Sequence, residues 1–327
     1  MPIHSPSYRP WQGQRVSEWT RWLTICSTGI GRASQSRWLR RLLFSALLPL
    51  LFFGIPFFLF EQAGRDPEIW RSFSILVRRM PQEMMLRDAI GALPRNPTPE
   101  EFAAIRQPVW SFLILTFLRY PQAFLMVILV GIVAPPLISQ DLRTRAYLIY
   151  FARPISRLEY VVGKLGVVGF FLFWISAMPA LLLYVAAVML SPSVEVVLTT
   201  WDLPIRILIA SACMIIPTTL VALAFSSLTL ESRYAGFAWF AMWIMGHVTY
   251  SALVAIPTFE AAQDQVAFAP GWRLLASPYQ VLGVVQSYAF GFVSDPSVVL
   301  PSFVLLVAVS LVSLAILFRR VTAPMRV

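Results

Sequence analysis

Side chains able to make specific polar contacts are concentrated in the segment Ile138–Lys164, between two long apolar stretches. Its charged residues are Asp141, Arg143, Arg145, Arg153, Arg157, Glu159 and Lys164. Basic residues accumulate on the cytoplasmic side of membrane proteins, so we expect this connector to contact a cytosolic protein through ion pairs and hydrogen bonds. The residues expected to make those contacts are Asp141, Leu142, Arg143, Arg145, Ile149, Arg153 and Glu159.

The local sequence of the connector predicts a short helix, a sharp turn and a second helix. The first helix is amphipathic, with an apolar face formed by Leu142, Ala146, Ile149 and Tyr150. It should end near Phe151, because Pro154 disfavours helical backbone at the residue before it. Ser156 and Glu159 have the spacing of a capping box, which predicts the start of the next helix at Ser156.

Outside the connector, few side chains are candidates for transport, metal binding or catalysis. His247 is the ionisable residue expected deep inside an apolar stretch, where it either lines a transport path or hydrogen-bonds a Thr or Tyr between helices. Cys26 and Cys213 are unlinked in the expected topology, so we predict no disulfide. With two histidines and scattered acids, the sequence predicts no metal site, and no Ser–His pair has the spacing of a nucleophile and its base.

These residues must be positioned by a membrane-embedded framework. The chain has 327 residues, of which 58% are hydrophobic and 13% charged, with a mean hydropathy of +0.70. A soluble protein is typically about 25% charged. A membrane span needs about 20 apolar residues. The sequence therefore predicts an all-α polytopic membrane protein with six spans, at residues 42–60, 120–138, 165–190, 207–230, 234–257 and 298–318.

The distribution of arginine predicts the orientation of these spans. Residues 1–41, the connector 139–164 and the C-terminal tail are basic, which places both termini in the cytoplasm. The net charge of +10 is explained by this asymmetry and does not indicate nucleic-acid binding. Residues 42–327 form a single transmembrane domain, with an outer loop at 61–118 and an outer re-entrant or interfacial hairpin within 258–297, before the last span.

Two segments outside the predicted spans have helical signals. In the leader, apolar residues recur at Val16, Trp19, Leu23 and Cys26. They predict an amphipathic helix, capped by Ser17 and ended by Gly29, that lies at the membrane interface or packs on a soluble partner. In the outer loop, Thr98 and Glu101 have capping-box spacing. Arg119 should mark the outer end of the second span.

The connector resembles that of the permease subunits of type-2 ABC transporters, the exporter-type ABC family. The matching positions are Asp141, Arg143, Arg145, Leu148, Pro154, Ser156, Arg157, Glu159, Gly163 and Lys164. The segment 144–147 departs from the pattern, because many relatives have a Gly-Thr pair and a further Glu there. The six spans, the amphipathic leader helix and the outer hairpin are also similar to the family.

This resemblance implies a transport subunit that is not itself an enzyme. Two permeases pair, as a homodimer or with a close paralogue, and the connector contacts a cytosolic ATPase that binds ATP and magnesium, so this chain itself binds no cofactor. The sequence agrees, since Gly163-Lys164 is followed by Leu165 and an apolar stretch and cannot be a G-x-x-x-x-G-K-[ST] phosphate loop. The expected location is the bacterial inner membrane, and the expected substrate is lipid-linked, amphipathic or polymeric.

Two alternatives to transport follow from the same sequence. The large outer loop is compatible with an ATPase-driven membrane anchor or mechanical scaffold that acts on envelope proteins outside the cytoplasm without passing a substrate. An integral membrane enzyme would need acids, His or Ser converging at one membrane face, and the sequence contains no such cluster. We therefore expect a permease, with the scaffold as the second hypothesis.

Overall fold

The computed structural model of the chain describes residues 20–64, 66–79, 98–146, 155–191, 196–261 and 272–322. Throughout these ranges the regular structure is helical, and no strand occurs in them. The α-helices are α1 Arg21–Ser34, α2 Arg37–Ser45, α3 Leu48–Ala63, α4 Pro67–Arg79, α5 Pro99–Phe117, α6 Ala123–Arg143, α7 Arg157–Ile175, α8 Ala177–Leu190, α9 Val196–Thr200, α10 Leu203–Leu228, α11 Ser232–Ala261, α12 Pro278–Ala289 and α13 Pro296–Thr322. A π-helical turn, Leu118–Gln122, joins α5 to α6, and a 3₁₀ turn, Arg273–Ala276, precedes α12.

Within the described residues, six helical segments are long and apolar enough to cross a membrane, which confirms the predicted number. They are Arg37–Ala63, Glu100–Arg143, Arg157–Leu190, Val196–Leu228, Ser232–Val254 and Pro296–Val321. Each is longer than, or shifted from, the predicted span, because the predicted boundaries were set at the nearest charged residues. The helices continue past those residues, both where the charge is buried, as at Arg119, and where it is exposed, as at Arg40 and Arg157.

The second of these segments differs most from prediction. Helix α5, the π-helical turn and α6 form one uninterrupted helical path of 44 residues, which corresponds to a length of about 66 Å. A bilayer core is about 30 Å thick, so part of this helix must extend beyond it. Residues 61–118 are predicted to lie outside the membrane, with Arg119 at the outer end of the span; the helix continues without a break through Arg119, which is buried in it.

On the N-terminal side of the π-helical turn, α3, α4 and α5 pack around a cluster of aromatic side chains. The rings of Phe60 and Phe102 stack with centroids 4.6 Å apart, and Trp70 and Phe73 pack around them. The predicted capping box at the start of α5 is confirmed, since Thr98 Oγ1 accepts the Glu101 amide and the Glu101 carboxylate accepts the Thr98 amide. We call this compact unit the α3–α4–α5 module.

The leader helix α1 packs directly against α7. A methyl group added at Gly163 would lie 2.8 Å from Cβ of Ile25, and one added at Gly166 would lie 2.9 Å from Sγ of Cys26. Close approach of this kind requires residues without a Cβ. Gly29 also lies inside α1, against Val167, so the prediction that it ends the helix is wrong. The proposed cap Ser17 lies outside the described residues.

Helix α12 is a short helix between the fifth and sixth apolar segments, inside the stretch predicted to form an outer hairpin, and its 12 residues are too few for a seventh span. Its 12 residues begin at Pro278, where the proline ring lies beside Gly246 in the middle of α11. From there α12 packs against α10, α11 and α13. Its start therefore lies deep beside α11 rather than beyond the end of that helix.

Candidate functional site

The connector leaves α6 and returns through α7, and a buried ion pair joins the two helices. Lys164 Nζ lies 2.6 Å from Asp141 Oδ2, and the hydroxyl of Tyr160 donates a hydrogen bond of 2.8 Å to the same oxygen. All three residues are buried. Tyr160 and Lys164 are four residues apart on α7, so both reach the last turn of α6 from one face. We call this group the Asp141–Tyr160–Lys164 clamp.

Helix α6 ends in a Schellman turn directly after Asp141. The amide of Ala146 donates to the carbonyl of Asp141 at 3.0 Å, and the amide of Arg145 donates to the carbonyl of Leu142 at 3.4 Å. Arg145 has a φ of 54°, a left-handed conformation that this motif usually assigns to glycine. This backbone directs the exposed Arg145 side chain away from the helix body.

Helix α7 begins with the predicted capping box. Ser156 Oγ accepts the amide of Glu159 at 3.2 Å, and the Glu159 carboxylate accepts the amide of Ser156. Replacing a capping Ser by Ala typically costs about 1 kcal/mol. The described part of the connector therefore has two sharply defined ends, a Schellman turn and a capped helix start.

The predicted docking residues occupy different environments. Arg143 and Arg145 are exposed, and Arg143 lies 3.4 Å from Glu231, which follows α10. The Asp141 carboxylate faces inward to Lys164, so it is a structural partner of α7 rather than part of an outward surface. The remaining predicted residues are half-buried Leu142, Glu159, whose carboxylate caps α7, and Ile149 and Arg153, which lie outside the described residues.

Sequence reasoning did not find Tyr160, Lys164 or Glu231 as partners. The sequence does contain a signal for Lys164 and Tyr160. Lys164 is the sole lysine in the chain and stands one helical turn after Tyr160, close to a membrane boundary where a charge needs a partner. Nothing local to Glu231 indicates its position beside Arg143.

Among the described residues, no hydrogen bond joins His247 to another helix. It is exposed on α11, on the side that also exposes Ile244, Met245 and Val248. Arg119, by contrast, lies inside the helical body and is 2% exposed. Its Nη1 donates to the carbonyl of Tyr279 at 2.9 Å, and its guanidinium lies 4.3 Å from the centre of the Tyr279 ring.

A glycine on α12 makes room for this arginine. The Cα of Gly283 lies one helical turn after Tyr279, and a methyl group added there would overlap the Arg119 guanidinium. The π-helical turn that contains Arg119 shifts the side chains of α5 relative to those of α6. Arg119, Tyr279 and Gly283 therefore form a fitted contact that fixes α12 against the long α5–α6 helix.

A second charged group lies in the α3–α4–α5 module. Arg106 binds the Glu61 carboxylate through two nitrogens, at 3.1 and 3.2 Å, and the indole of Trp110 donates to Glu61 at 3.2 Å. Nearby, Asp202 accepts from Gln107 at 3.1 Å and from Arg206 at 2.7 Å. These contacts tie α3, α5 and α10 together at the end of the molecule away from the connector.

The described residues bring no three His, Cys, Asp or Glu side chains together around a position suited to a metal ion. What the connector side offers is recognition and mechanical linkage: exposed arginines above a buried ion pair that joins two apolar helices. In comparisons with known proteins, no family model matches the chain. No curated protein is significantly similar to it.

Proposed function

We propose that the chain is the transmembrane permease subunit of an ATP-driven ABC exporter and is driven by a separate cytosolic ATPase through the connector 139–164. The observation that carries this proposal is the Asp141–Tyr160–Lys164 clamp. It joins the two helices that the connector links, so a force applied to the connector moves both together. The resemblance of the connector sequence to that of type-2 ABC permeases supplies the identity of the expected partner.

The mechanism follows from the stiffness of these elements. A partner that pushes on Arg143 and Arg145 acts on the last turn of α6 through the Schellman turn. The buried ion pair passes that displacement to α7, and α7 passes it to α1 through the glycine contacts at Gly163 and Gly166. Three helices then respond as one body, because each contact is close-packed and leaves little room for sliding.

The remaining parts of the proposal concern topology and partners. Both termini and the connector lie in the cytoplasm of a bacterial cell, α1 lies near the inner membrane surface, and α12 is the rising arm of an outer re-entrant hairpin. Two copies, or this chain and a close paralogue, form the transport unit in the inner membrane. ATP and magnesium bind the ATPase partner, and the substrate is lipid-linked, amphipathic or polymeric.

A specific observation also supports the scaffold hypothesis. The α5–α6 helix runs without interruption from the aromatic α3–α4–α5 module to the connector, so movement at one end is transmitted to the other. In that case the ATPase would move the outer module against envelope proteins, and no substrate would cross. The two hypotheses share the fold, the partner and the coupling contacts, and they differ in whether material crosses the membrane.

Copurification tests the shared part of the proposal. The tagged chain, solubilised from its native membrane in a mild detergent, should retain a protein that contains a G-x-x-x-x-G-K-[ST] loop and hydrolyses ATP. A matched sample with Arg143 and Arg145 both replaced by glutamate should retain much less of it. Recovery of no such ATPase from the unaltered chain would refute the coupling proposal.

Transport is separated from scaffolding in proteoliposomes that contain the purified complex. Phospholipids with a fluorescent headgroup, placed in one leaflet, report ATP-dependent movement through their accessibility to dithionite. We expect movement that requires ATP and stops when vanadate is added. ATP hydrolysis at a normal rate, with no movement of amphipathic probes, would instead support the scaffold.

A further inference from the structure

A cavity of about 830 Å³ lies between the helices α1 and α2 on one side and the connector-side half of α6 on the other. It belongs neither to the exposed docking arginines nor to the Arg119 contact. Its volume is in the range of small-molecule sites, which is about 300–1,000 Å³. Its walls have two distinct chemical characters, and each is formed by a continuous helix face.

One wall is polar and comes from α1. The residues that contribute it recur every three or four positions, so they form one line along the helix: Arg21, Thr24, Thr28 and Arg32. The neighbouring face of α1, which includes Cys26, is packed against α7. The amphipathic pattern of α1 therefore has a use on both sides: its apolar face holds the helix in place and its polar face lines the cavity.

The opposite wall is apolar and comes from α6. Its apolar residues are Ile132, Val133, Pro136 and Leu137, and Gln140 and Asp141 follow them at the connector end of the same helix. Ile132 is 42% exposed. A cavity with cationic and hydroxyl groups on one side and branched apolar groups on the other matches a molecule that has a polar head and a hydrocarbon tail.

The net charge of the side chains that line the cavity determines whether a cationic or an anionic headgroup fits it. Its titratable side chains are Arg21, Arg32, Lys164 and Asp141, and Asp141 is paired with Lys164. The balance is therefore positive. Ser36, the N-cap of α2, also lines the cavity, so the first-turn amides of α2 lie at the same end as Arg32. Helix N-termini favour anions, and phosphate groups in particular.

We propose that this cavity binds an anionic phospholipid from the leaflet that faces the connector. The phosphate lies against Arg32, Thr28 and the start of α2, and an acyl chain packs against Val133 and Ile132 of α6. The lipid would fill the space between α1 and α6, and so stabilise the helix that packs on α7. The proposal requires a membrane location for the chain but does not depend on its transport activity or on an ATPase.

Native mass spectrometry of the purified chain in a neutral detergent tests this site. Phosphatidylglycerol and phosphatidylcholine with identical acyl chains are added over a concentration series, with glycerol 3-phosphate as a head without a tail. We expect phosphatidylglycerol to bind at about tenfold lower concentration than phosphatidylcholine, and glycerol 3-phosphate not to compete in the same range. Equal binding of both lipids would overturn the proposal, and full competition by glycerol 3-phosphate would show a soluble-anion site instead.

Variants locate the binding within the molecule. Arg32→Gln should weaken phosphatidylglycerol binding about tenfold, whereas Arg40→Gln, an exposed arginine of α2 that does not line the cavity, should leave it unchanged. Thr28→Trp should fill the cavity and displace the lipid while thermal unfolding remains cooperative. If Arg32→Gln and Arg40→Gln reduce binding equally, the lipid is held by general surface charge and the proposed site is wrong.

A second copy of the chain is the competing occupant. Mass spectra also report oligomeric state, so lipid binding and dimer formation are read in one experiment. Phosphatidylglycerol bound to the monomer supports the lipid site. Dimers that exclude lipid, together with their loss in Thr28→Trp, would show that this face is covered by another copy and would overturn the proposal.

Discussion

The ammonium group of Lys164 lies 2.6 Å from the carboxylate of Asp141, and both side chains are about nine-tenths buried. The pair holds the end of α6 to the start of α7 at the two points where the connector joins the apolar helices. An ion pair in such a place contributes little net stability compared with an apolar pair, but it is costly to break on one side only. Replacing one member of the pair should therefore destabilise the protein more than replacing both.

Replacement of Lys164 by Met should lower the free energy of unfolding by about 3 kcal/mol, because the carboxylate of Asp141 is left buried without its cation. The double variant Lys164→Met/Asp141→Leu should recover most of that loss. Thermal unfolding in detergent, followed by circular dichroism, measures both. Glu231→Gln, which removes the exposed partner of Arg143, is the control and should change stability by less than about 1 kcal/mol. A double variant as unstable as the single one would contradict the clamp.

Replacement of Arg145 by Gly distinguishes an effect on ATPase binding from an effect on the stability of the fold. Arginine in the left-handed conformation is strained by about 1 kcal/mol or more, so glycine should keep or raise the unfolding temperature. If Arg145 contacts the ATPase, the same variant should weaken copurification about tenfold, measured as the amount of ATPase retained. The control is Arg41→Gln, at an exposed arginine of α2. Unchanged retention with Arg145→Gly would remove this residue from the docking surface.

Addition of a single methyl group at Gly283 should disturb the contact between α12 and the π-helical turn. The new Cβ would overlap the Arg119 guanidinium, and overpacking of this kind typically costs about 1–3 kcal/mol. Gly54→Ala is the matched control, since no atom lies within 4 Å of the added methyl group there. Its effect should stay within about 1 kcal/mol, in the stabilising direction expected for Ala in a helix. Equal effects at both glycines, measured by thermal unfolding, would mean that Arg119 moves aside at no cost.

Two residues of α11 should respond very differently to truncation. Trp239 is buried, and its indole donates to the carbonyl of Val127 at 2.9 Å, so Trp239→Ala should cost about 3–5 kcal/mol. His247 is exposed, so His247→Ala should change stability by no more than about 0.5 kcal/mol. Unfolding in detergent is the measurement. A large loss with His247→Ala in a dimeric sample, but not in a monomeric one, would instead place His247 at an interface between copies.

Sequence alone was sufficient for the features that depend on neighbouring residues. The six apolar helices and the capping boxes at Thr98 and Ser156 were predicted and are present. Hydropathy is a property of consecutive residues, and a capping box is closed within four positions, so both can be derived without knowing the fold.

Only the tertiary structure decided which polar residues face inward. Asp141 is predicted on an outward docking surface and is buried against Lys164, while Arg119 is predicted at the outer end of a membrane span and is buried against α12. Whether a charge ends a helix or lies within one depends on a partner from a distant part of the chain. Gly29 likewise lies within α1, where the absence of a Cβ leaves room for the side chain of Val167 of α7. Local sequence sets where helices can form, and contacts between distant residues select which faces of those helices meet.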